Sequence, residues 1–406
     1  MARRGVALLT DPEGEGELVR LVDAQGEDLV VVRRCADLAE MRAAAAAGVA
    51  ELAVVDGADP DLDRETVRDL VSHRMGVVLV APPGQEERLT HLGASAVVPA
   101  GRPEDVVRAL VTLARSVPDH PQAPPPPPPP DHPQPPLGRI VTVWGTSGAP
   151  GRSSAAAEIA CGATRRGATL LVDADTQAPT LAHLLGLPTD VSVLAALCRL
   201  ASRGGLDALE LDRVAQPTPH GVGVLTGITA PQRWREITPA GITDVLDTCR
   251  EVARTTVVDV HAGSLDPVPA QPTRGGRDEV LAAVLRASDV VLLVARGDAV
   301  GLARCARSLQ WWADLGVDIP LVPVVNRVAA AATGPRPTTA VTQAMGVLVP
   351  GQTLHVVPED PTLQEAQLRG VPLVAHKPRS PAARSWLNLA DQVLGEGQEA
   401  RRGVRH

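Results

Sequence analysis

A short segment between a strand-like run and an alanine-rich run carries the residue types that bind phosphate. Residues 139–154 read RIVTVWGTSGAPGRSS, so a β-branched strand leads into a loop of small residues and a helix begins at Gly151. Backbone N–H groups of such a loop, together with the helix N-terminus, form a binding site for anions. The expected phosphate-binding residues are Ser147, Gly148, Ala149, Pro150, Gly151, Arg152, Ser153 and Ser154.

This loop departs from the GxxxxGK[ST] phosphate-loop pattern at two positions. Gly151 supplies the second glycine, and the hydroxyl of Ser153 stands where a Mg²⁺ ligand is expected. The first glycine is replaced by Thr146, with Gly145 one place early, and the lysine is replaced by Arg152. The loop alone therefore leaves two interpretations open, a nucleotide-binding loop and a tight strand–helix turn.

Acidic residues follow two further strand-like runs. Asp173 and Asp175 end the run TLLVDAD, and Asp259 ends the run TVVD, which is the strand-plus-acid pattern of a Walker B motif. Each acid could instead cap the end of its strand. His261 comes directly after the predicted strand 256–260, and we interpret it as a solvated loop residue and not as a catalytic one.

The composition excludes several classes of function. Of the 39 basic residues 38 are arginine, so no mechanism can use a lysine before the single one, Lys377. The chain has no Phe and no Tyr, which argues against stacking of single-stranded nucleic acid. The formal net charge of −8 does not favour DNA binding, although an arginine patch would permit it.

Cysteine spacing and hydropathy indicate the compartment. The five cysteines are far apart and include no CxxC pair, so we expect reduced thiols, without a disulfide framework or a zinc site. No apolar run reaches the roughly 18 residues of a membrane-spanning helix. We therefore expect a cytoplasmic protein without an integral membrane segment.

The order of strand-like and helical runs predicts an α/β protein with two doubly wound parallel sheets. The predicted divisions are a receiver-like domain at 1–117, a proline-rich linker at 118–137, a larger P-loop domain at 138–394 and a disordered tail at 395–406. The predicted strands are 5–9, 28–32, 51–55, 76–80, 96–98, 139–144, 169–173, 222–225, 256–260, 290–295, 321–325 and 355–358. The last predicted helix is 381–394.

The five βα units of the first domain resemble a response-regulator receiver. Asp56 follows the third strand, where receivers carry their phosphoacceptor. The hydroxyl and the lysine of a receiver site are missing, since Ala81 and Pro82 follow the fourth strand and no lysine is near Pro99. We therefore interpret Asp56 as a turn residue and the domain as a pseudo-receiver that makes contacts, with phosphorylation of Asp56 as the alternative.

Residues 139–394 resemble the MinD/ParA branch of P-loop ATPases, because the phosphate loop, the DAD segment, the TVVD strand, the VVNR segment and the VVPED segment come in that order. With a receiver-like domain in front, the whole chain is similar to the CpaE/TadZ type, including the actinobacterial CpaE-like and septum-site-determining group. The resemblance implies ATP or ADP with Mg²⁺ as cofactors and a nucleotide-dependent homodimer.

The resemblance also implies roles for individual residues. Ser153 and Asp259 would hold Mg²⁺, and Asp173 and Asp175 would act near the metal and the attacking water. The adenine site would be formed by Asn326, Arg327, Pro358 and Glu359. Ser147 stands where relatives have a lysine that reaches the partner's phosphates.

Because phosphoryl transfer depends on positioned charge, the exchanges at Ser147 and Arg152 predict nucleotide binding with slow or absent hydrolysis. The predicted function is a positioning or scaffold protein in Flp/Tad pilus or secretion-system placement, or in septum or chromosome positioning. Its partners would be proteins of that apparatus, which would recruit it to a pole, the septum or the membrane. The alternative is an active ATPase that cycles between monomer and ATP-bound dimer.

Overall fold

A computed structural model describes residues 3–25, 28–116, 137–148, 151–265 and 276–403. These residues form two compact units, a smaller one that includes 3–116 and a larger one that includes 137–199 and 206–403. The predicted proline-rich linker lies outside the described residues except for Leu137.

The smaller unit alternates strands and helices. Its strands are β1 (Arg4–Leu9), β2 (Leu29–Arg34), β3 (Leu52–Asp56), β4 (Gly76–Ala81) and β5 (Ala96–Pro99). Its helices are α1 (Pro12–Asp23), α2 (Leu38–Ala46), α3 (Arg64–Ser72), α4 (Glu86–Thr90) and α5 (Pro103–Ser116). The strands form one parallel sheet in the order β2-β1-β3-β4-β5, a doubly wound order with helices on both faces.

Local sequence sets the limits of these elements. The central strands are almost entirely buried, as the continuous Val and Leu runs of a parallel sheet require. Asp37 and Asp63 begin α2 and α3, because each carboxylate accepts the N–H of the third residue after it. Asp56 ends β3, and its Oδ1 accepts the Ala58 N–H at 2.9 Å, which is the turn role that the sequence indicated.

The larger unit is built on an eight-stranded sheet. Its strands are β6 (Arg139–Gly145), β7 (Thr169–Ala174), β8 (Gln216–Pro217), β9 (Val222–Leu225), β10 (Thr255–Val260), β11 (Val290–Arg296), β12 (Leu321–Val328) and β13 (His355–Pro358). They lie in the order β13-β12-β11-β6-β10-β7-β9-β8, and all pairs are parallel except the antiparallel pair of β8 and β9.

Twelve α-helices accompany these strands in the described part of the larger unit. They are α6 (Arg152–Ala163), α7 (Leu181–Leu184), α8 (Val193–Ser202), α9 (Ala208–Val214), α10 (Pro239–Val252), α11 (Arg277–Ala287), α12 (Ala299–Leu315), α13 (Ala330–Thr333), α14 (Pro337–Leu348), α15 (Thr362–Leu368), α16 (Leu373–His376) and α17 (Pro381–Gly403). Two short 3₁₀ turns occupy Thr164–Arg166 and Pro231–Glu236.

The central strand β6 separates two layers of helices. Val141 and Val143 of this strand belong to an apolar cluster that includes side chains of α6 and α17. Trp144 points to the opposite face, where its ring centroid lies 5.5 Å from that of Trp311 and 6.1 Å from that of Trp312 on α12. The indole N–H of Trp144 donates to the Ala262 carbonyl at 3.1 Å, which connects β6 to the segment after β10.

The predicted α/β class with two parallel sheets is confirmed, and the structure adds two corrections. The two-residue strand β8 was not predicted, because so short a strand has no periodicity to detect. Helix α17 continues to Gly403, past its predicted end at 394 and into the predicted tail. The residues after 394 include Glu, Gln, Ala and Arg, which favour helix and offset the three glycines there. Among the described residues, every helix is too short or too polar to span a lipid bilayer.

A buried carboxyl group connects α6 to the C-terminal helices. Glu158 accepts the N–H groups of Leu373 and Val374 at 2.7 and 2.8 Å. Burial raises the pKa of Glu158 to about 7, although the two backbone hydrogen bonds act in the opposite direction. The carboxyl group therefore fixes α16 against α6.

Replacing Glu158 with Ala leaves two buried N–H groups without their acceptor, and each such group costs about 1–3 kcal/mol. We expect Glu158→Ala to lower the free energy of unfolding by at least about 2 kcal/mol. The measurement is urea unfolding followed by tryptophan fluorescence. All five tryptophans lie in the larger unit, so the signal reports that unit alone.

Glu158→Gln is the matched control, since it keeps an acceptor and cannot ionise. The folded-state pKa of about 7 exceeds the ordinary 4.5, so the folded chain retains a proton that the unfolded chain has lost. The stability of the wild type should therefore fall between about pH 4.5 and 7 through this group, and the Gln variant should lack that part of the fall. If the free energies of unfolding of the wild type and of Glu158→Gln change with pH in parallel, the raised pKa of Glu158 is contradicted.

Candidate functional site

The bend after β6 depends on a glycine that makes room for an arginine. A Cβ on Gly145 would lie 2.7 Å from Cγ and Cδ of Arg152 and 2.7 Å from the Val294 carbonyl oxygen. The aliphatic part of Arg152 therefore packs directly against the backbone of Gly145. This contact explains both departures from the GxxxxGK[ST] pattern. Arg152 is bulkier than the lysine of the pattern, and the glycine at 145, one place before the expected position, leaves room for it.

Two further glycines shape the loop. Gly148 and Gly151 have φ angles of 67° and 95°, in the left-handed region that other residues rarely adopt. A Cβ on Gly151 would lie 2.4 Å from Nδ2 of Asn326, so the side chain of Asn326 touches the start of α6. Ala149 and Pro150, which the sequence also assigned to phosphate binding, lie outside the described residues.

The loop cation is paired with an acid. Nη2 of Arg152 lies 3.6 Å from Oδ2 of Asp175, whose side chain is only 2% exposed. The other carboxylate oxygen of Asp175 accepts the N–H groups of Gln177 and Ala178, each at 2.8 Å. Asp175 therefore both caps the turn after β7 and neutralises part of the charge of Arg152.

The acids at the ends of β7 and β10 lie side by side. Asp173 and Asp259 are register partners on these parallel strands, and both are buried. Burial, and then the charge of Asp175, raise the pKa of Asp173 to about 7, while the Leu181 N–H that it accepts at 3.0 Å opposes the shift. Burial, and then the charge of Asp173, raise the pKa of Asp259 well above its usual range, and the hydroxyl of Ser153 opposes this.

These residues fit a Mg²⁺ ion. Neither carboxylate oxygen of Asp259 has a partner in hydrogen-bond geometry among the described residues, although both are buried. Mg²⁺ prefers oxygen ligands and is commonly held by one or two protein groups with phosphates and water. Ser153 and Asp259 supply such oxygens. The described residues contain no group of three or more His, Cys, Asp and Glu side chains placed to hold a metal by themselves.

The residues predicted to bind adenine line one cavity of about 460 Å³. They are Asn326, Arg327, Pro358 and Glu359, and Trp386 lies on its wall with further apolar side chains. The cavity has the size of a small-molecule site, and polar side chains such as Asp360 and Gln364 share its wall with the apolar ones.

A register shift in the sheet opens this cavity. The pairing of β12 with β13 is irregular between Val325 and Val328, and Arg327 has a φ of 54°. A non-glycine residue in this region is uncommon, and irregularities of this kind redirect side chains near functional sites. The irregularity therefore leaves Asn326 and Arg327 without register partners on β13, where the cavity begins, although Asn326 still pairs with Arg296 on β11.

The structure brings two residues to the loop that sequence reasoning missed. Nε2 of Gln367 on α15 donates to the hydroxyl of Ser154 at 2.8 Å. Nη1 of Arg304 on α12 donates to the carbonyl oxygen of Ser147 at 2.9 Å. Both lie more than 150 positions from their partners, and nothing in their local sequence marks them.

The interpretation of His261 as a solvated residue was wrong. Its side chain is buried, with Nδ1 3.4 Å from the hydroxyl of Thr176 and Nε2 3.3 Å from Oδ1 of Asp278. Burial raises the pKa of Asp278, but hydrogen bonds from His261 and Ser264 exceed that effect, so the pKa is lowered overall. His261, in the segment after β10, therefore packs against the segment after β7. Its burial depends on the tertiary contact with α11, which the sequence does not show.

Replacing Asp259 with Asn removes a buried carboxyl group next to Asp173 and keeps its shape. We expect this variant to be more stable than the wild type in EDTA at about pH 8 by at least about 1 kcal/mol, since one unit of pKa corresponds to about 1.4 kcal/mol. The folded-state pKa lies above the ordinary 3.8, so wild-type stability falls as pH rises from that value and the gain grows with pH. Urea unfolding followed by tryptophan fluorescence measures it.

The control for this experiment is Asp318→Asn, which changes an exposed acid of the same unit and should leave stability unchanged. A destabilised Asp259→Asn variant at every pH would show that the carboxylate is held by a cationic partner, against the geometry described above.

Comparison with known proteins gives one related sequence. No protein-family model matches the chain. An uncharacterized ATP-binding protein from Methanocaldococcus jannaschii is 25% identical over 182 residues. The match spans 45% of this chain and 62% of that relative, which is less than two thirds of its length.

Solved structures show which fold the chain shares. A ParA family ATPase from Chlorobium tepidum is similar with a TM-score of 0.52 and 19% identity, over 63% of this chain and 98% of that one. A variant of McdA from Cyanothece in complex with ATP is similar with a TM-score of 0.50 and 14% identity, over 64% and 97%. The matched part, 63–64% of this chain, is longer than the smaller unit, so the structural similarity must include the larger unit. The larger unit has the α/β fold of the ParA-type P-loop ATPases.

Proposed function

We propose that the larger unit binds ATP or ADP with Mg²⁺ and hydrolyses ATP slowly or not at all. Phosphates would contact the loop from Ser147 to Ser154, and adenine would enter the cavity between β12 and β13. Ser153 and Asp259 would hold Mg²⁺, which would neutralise phosphate charge when bound.

The observation that carries this proposal is the contact between the loop and the cavity. Nδ2 of Asn326 lies 2.4 Å from where a Cβ of Gly151 would be, and Asn326 also lines the cavity. The phosphate loop and the cavity are therefore continuous at one residue. A single ligand with an anionic end and a flat end that has apolar faces and polar edges fits this arrangement.

The charge of Arg152 supports slow hydrolysis. Catalysis of phosphoryl transfer requires cations held against the phosphates, and here the loop cation is paired with Asp175. A nucleotide must compete with that carboxylate for the guanidinium. Ser147 adds no charge of its own, so the loop segment contributes one partly neutralised cation.

The competing function, an active ATPase, is favoured by Asp173. Its carboxyl group lies beside Asp259, a proposed Mg²⁺ ligand, where a general base for an attacking water would be needed. The two functions differ in turnover and not in binding, so one set of measurements separates them.

At the level of the whole chain we propose a CpaE-like positioning or scaffold protein. The larger unit would form a nucleotide-dependent homodimer, and the smaller unit would act as a pseudo-receiver that contacts partners. Asp56 supports this role, since its carboxylate closes a turn and no lysine precedes Lys377. Pilus, secretion, division or chromosome apparatus would supply the partners and the address at a pole, septum or membrane.

The test is titration of the purified chain with ATP and ADP, with and without Mg²⁺, with turnover and mass by light scattering measured on the same samples. We expect Arg152→Ala to weaken ATP binding by at least about tenfold, or about 1.4 kcal/mol. Arg152→Lys should keep most of the affinity. Asp175→Asn should strengthen ATP binding, because it frees Arg152 while keeping an oxygen for the turn.

Arg286→Ala, which removes an exposed arginine from α11, is the matched control and should bind as the wild type does. Turnover typical of an active ATPase that is lost in Asp259→Ala would refute the scaffold proposal and establish the alternative. A wild type that binds neither ATP nor ADP would refute both.

A further inference from the structure

Helix α12 carries an arginine to the opening of the phosphate loop. Besides its hydrogen bond to the Ser147 carbonyl, Nη1 of Arg304 lies 2.4 Å from where a Cβ of Gly148 would be. The guanidinium therefore rests on the bare Cα of Gly148. Any larger residue at 148 would displace it.

The position of this arginine is fixed by contacts along α12. Asp298 begins the helix by accepting the Gly301 N–H at 2.7 Å. A Cβ on Gly301 would lie 2.4 Å from the Arg296 carbonyl oxygen, so the first turn is pressed against the end of β11. Farther along, Trp311 packs on Trp144, one residue before Gly145. Arg304 thus projects from a helix that is held at both ends.

Most of the hydrogen-bonding capacity of Arg304 is unused. A guanidinium has five N–H donors, and one of them reaches Ser147. No carboxylate forms an ion pair with Arg304 among the described residues, and its side chain is exposed. Arg152, by contrast, faces Asp175. Arg304 is therefore the arginine at the loop whose charge no described acid neutralises.

We propose that Arg304 is the second phosphate-binding cation of this site and supplies, within the same chain, the charge that Ser147 lacks. The inference rests on the proposed nucleotide site and names a binding residue there that the loop pattern does not contain. Charge-assisted N–H···O bonds to phosphate are among the stronger polar contacts in proteins, and a planar arginine fork can make two of them. The outer phosphates of ATP are the expected acceptors.

The competing role for Arg304 is mechanical, since its hydrogen bond to Ser147 could simply hold the loop in shape. The two roles predict different ligand selectivity. A phosphate-binding cation affects ligands in proportion to their charge, whereas a collapsed loop weakens every ligand that the adjoining cavity holds. Adenosine, ADP and ATP therefore separate them.

The experiment measures dissociation constants of the full chain for ATP, ADP and adenosine by calorimetry. We expect Arg304→Ala to raise the dissociation constant for ATP by about tenfold or more, to raise that for ADP less, and to leave that for adenosine unchanged. Arg304→Gln keeps a donor for the Ser147 carbonyl without the charge, and should lose ATP affinity as Ala does. Arg304→Lys should stay within about threefold of the wild type.

Arg307→Ala is the matched control, because this exposed arginine lies one turn along the same helix and should not affect any of the three ligands. Equal weakening of ATP and adenosine, or full ATP affinity in Arg304→Gln, would overturn the proposal and leave Arg304 as a loop support. If the wild type and every Arg304 variant bind ATP equally well, the inference about Arg304 is refuted and the proposed nucleotide site still stands. A wild type that binds no nucleotide refutes the site and this inference together.

Discussion

The site depends on one constraint, the parallel register of β7, β10 and β6 at the centre of the larger sheet. Because Asp259 pairs in register with Asp173, the two carboxyl groups must leave the sheet side by side. Burial raises the pKa of both groups; the charge of Asp175 adds to the shift of Asp173, and the charge of Asp173 adds to that of Asp259. A buried pair of this kind is costly in the absence of positive charge, so the edge of the sheet attracts cations. Arg152 is one, and Mg²⁺ would be another.

The sequence was sufficient for most of the architecture. Runs of Val and Leu located every strand except β8, and small residues followed by Arg152 located the start of α6. Asn326 and Pro358, which the resemblance alone assigns to adenine, line one cavity in the structure, and their role there stays a prediction. The predictions of the strands and of the start of α6 succeed because strand periodicity and loop composition are local properties of the chain.

The remaining features arise from contacts between distant residues. Arg304 is indistinguishable from Arg307 in sequence, and only the docking of α12 directs the first to the loop. His261 follows a strand as a loop residue would, but α11 covers it with Asp278. The fit of Arg152 against Gly145 depends on rotamer and backbone geometry that no pattern encodes. Such features decide how charge is distributed in the site, which is why the sequence predicts a nucleotide fold better than it predicts a reaction.

The three indoles at the base of the loop give the molecule an optical property. The ring centroid of Trp144 lies 5.5 Å from that of Trp311 and 6.1 Å from that of Trp312, with the ring planes tilted by 48° and 31°. The transition dipoles of indole rings at this distance couple with one another. The near-ultraviolet circular dichroism of the cluster therefore depends on the tilt between the ring planes and not only on the individual rings. The cluster joins the strand before the loop, the segment after β10 and the helix that bears Arg304. A change in any of these three elements would alter an intrinsic chiral signal without any added label.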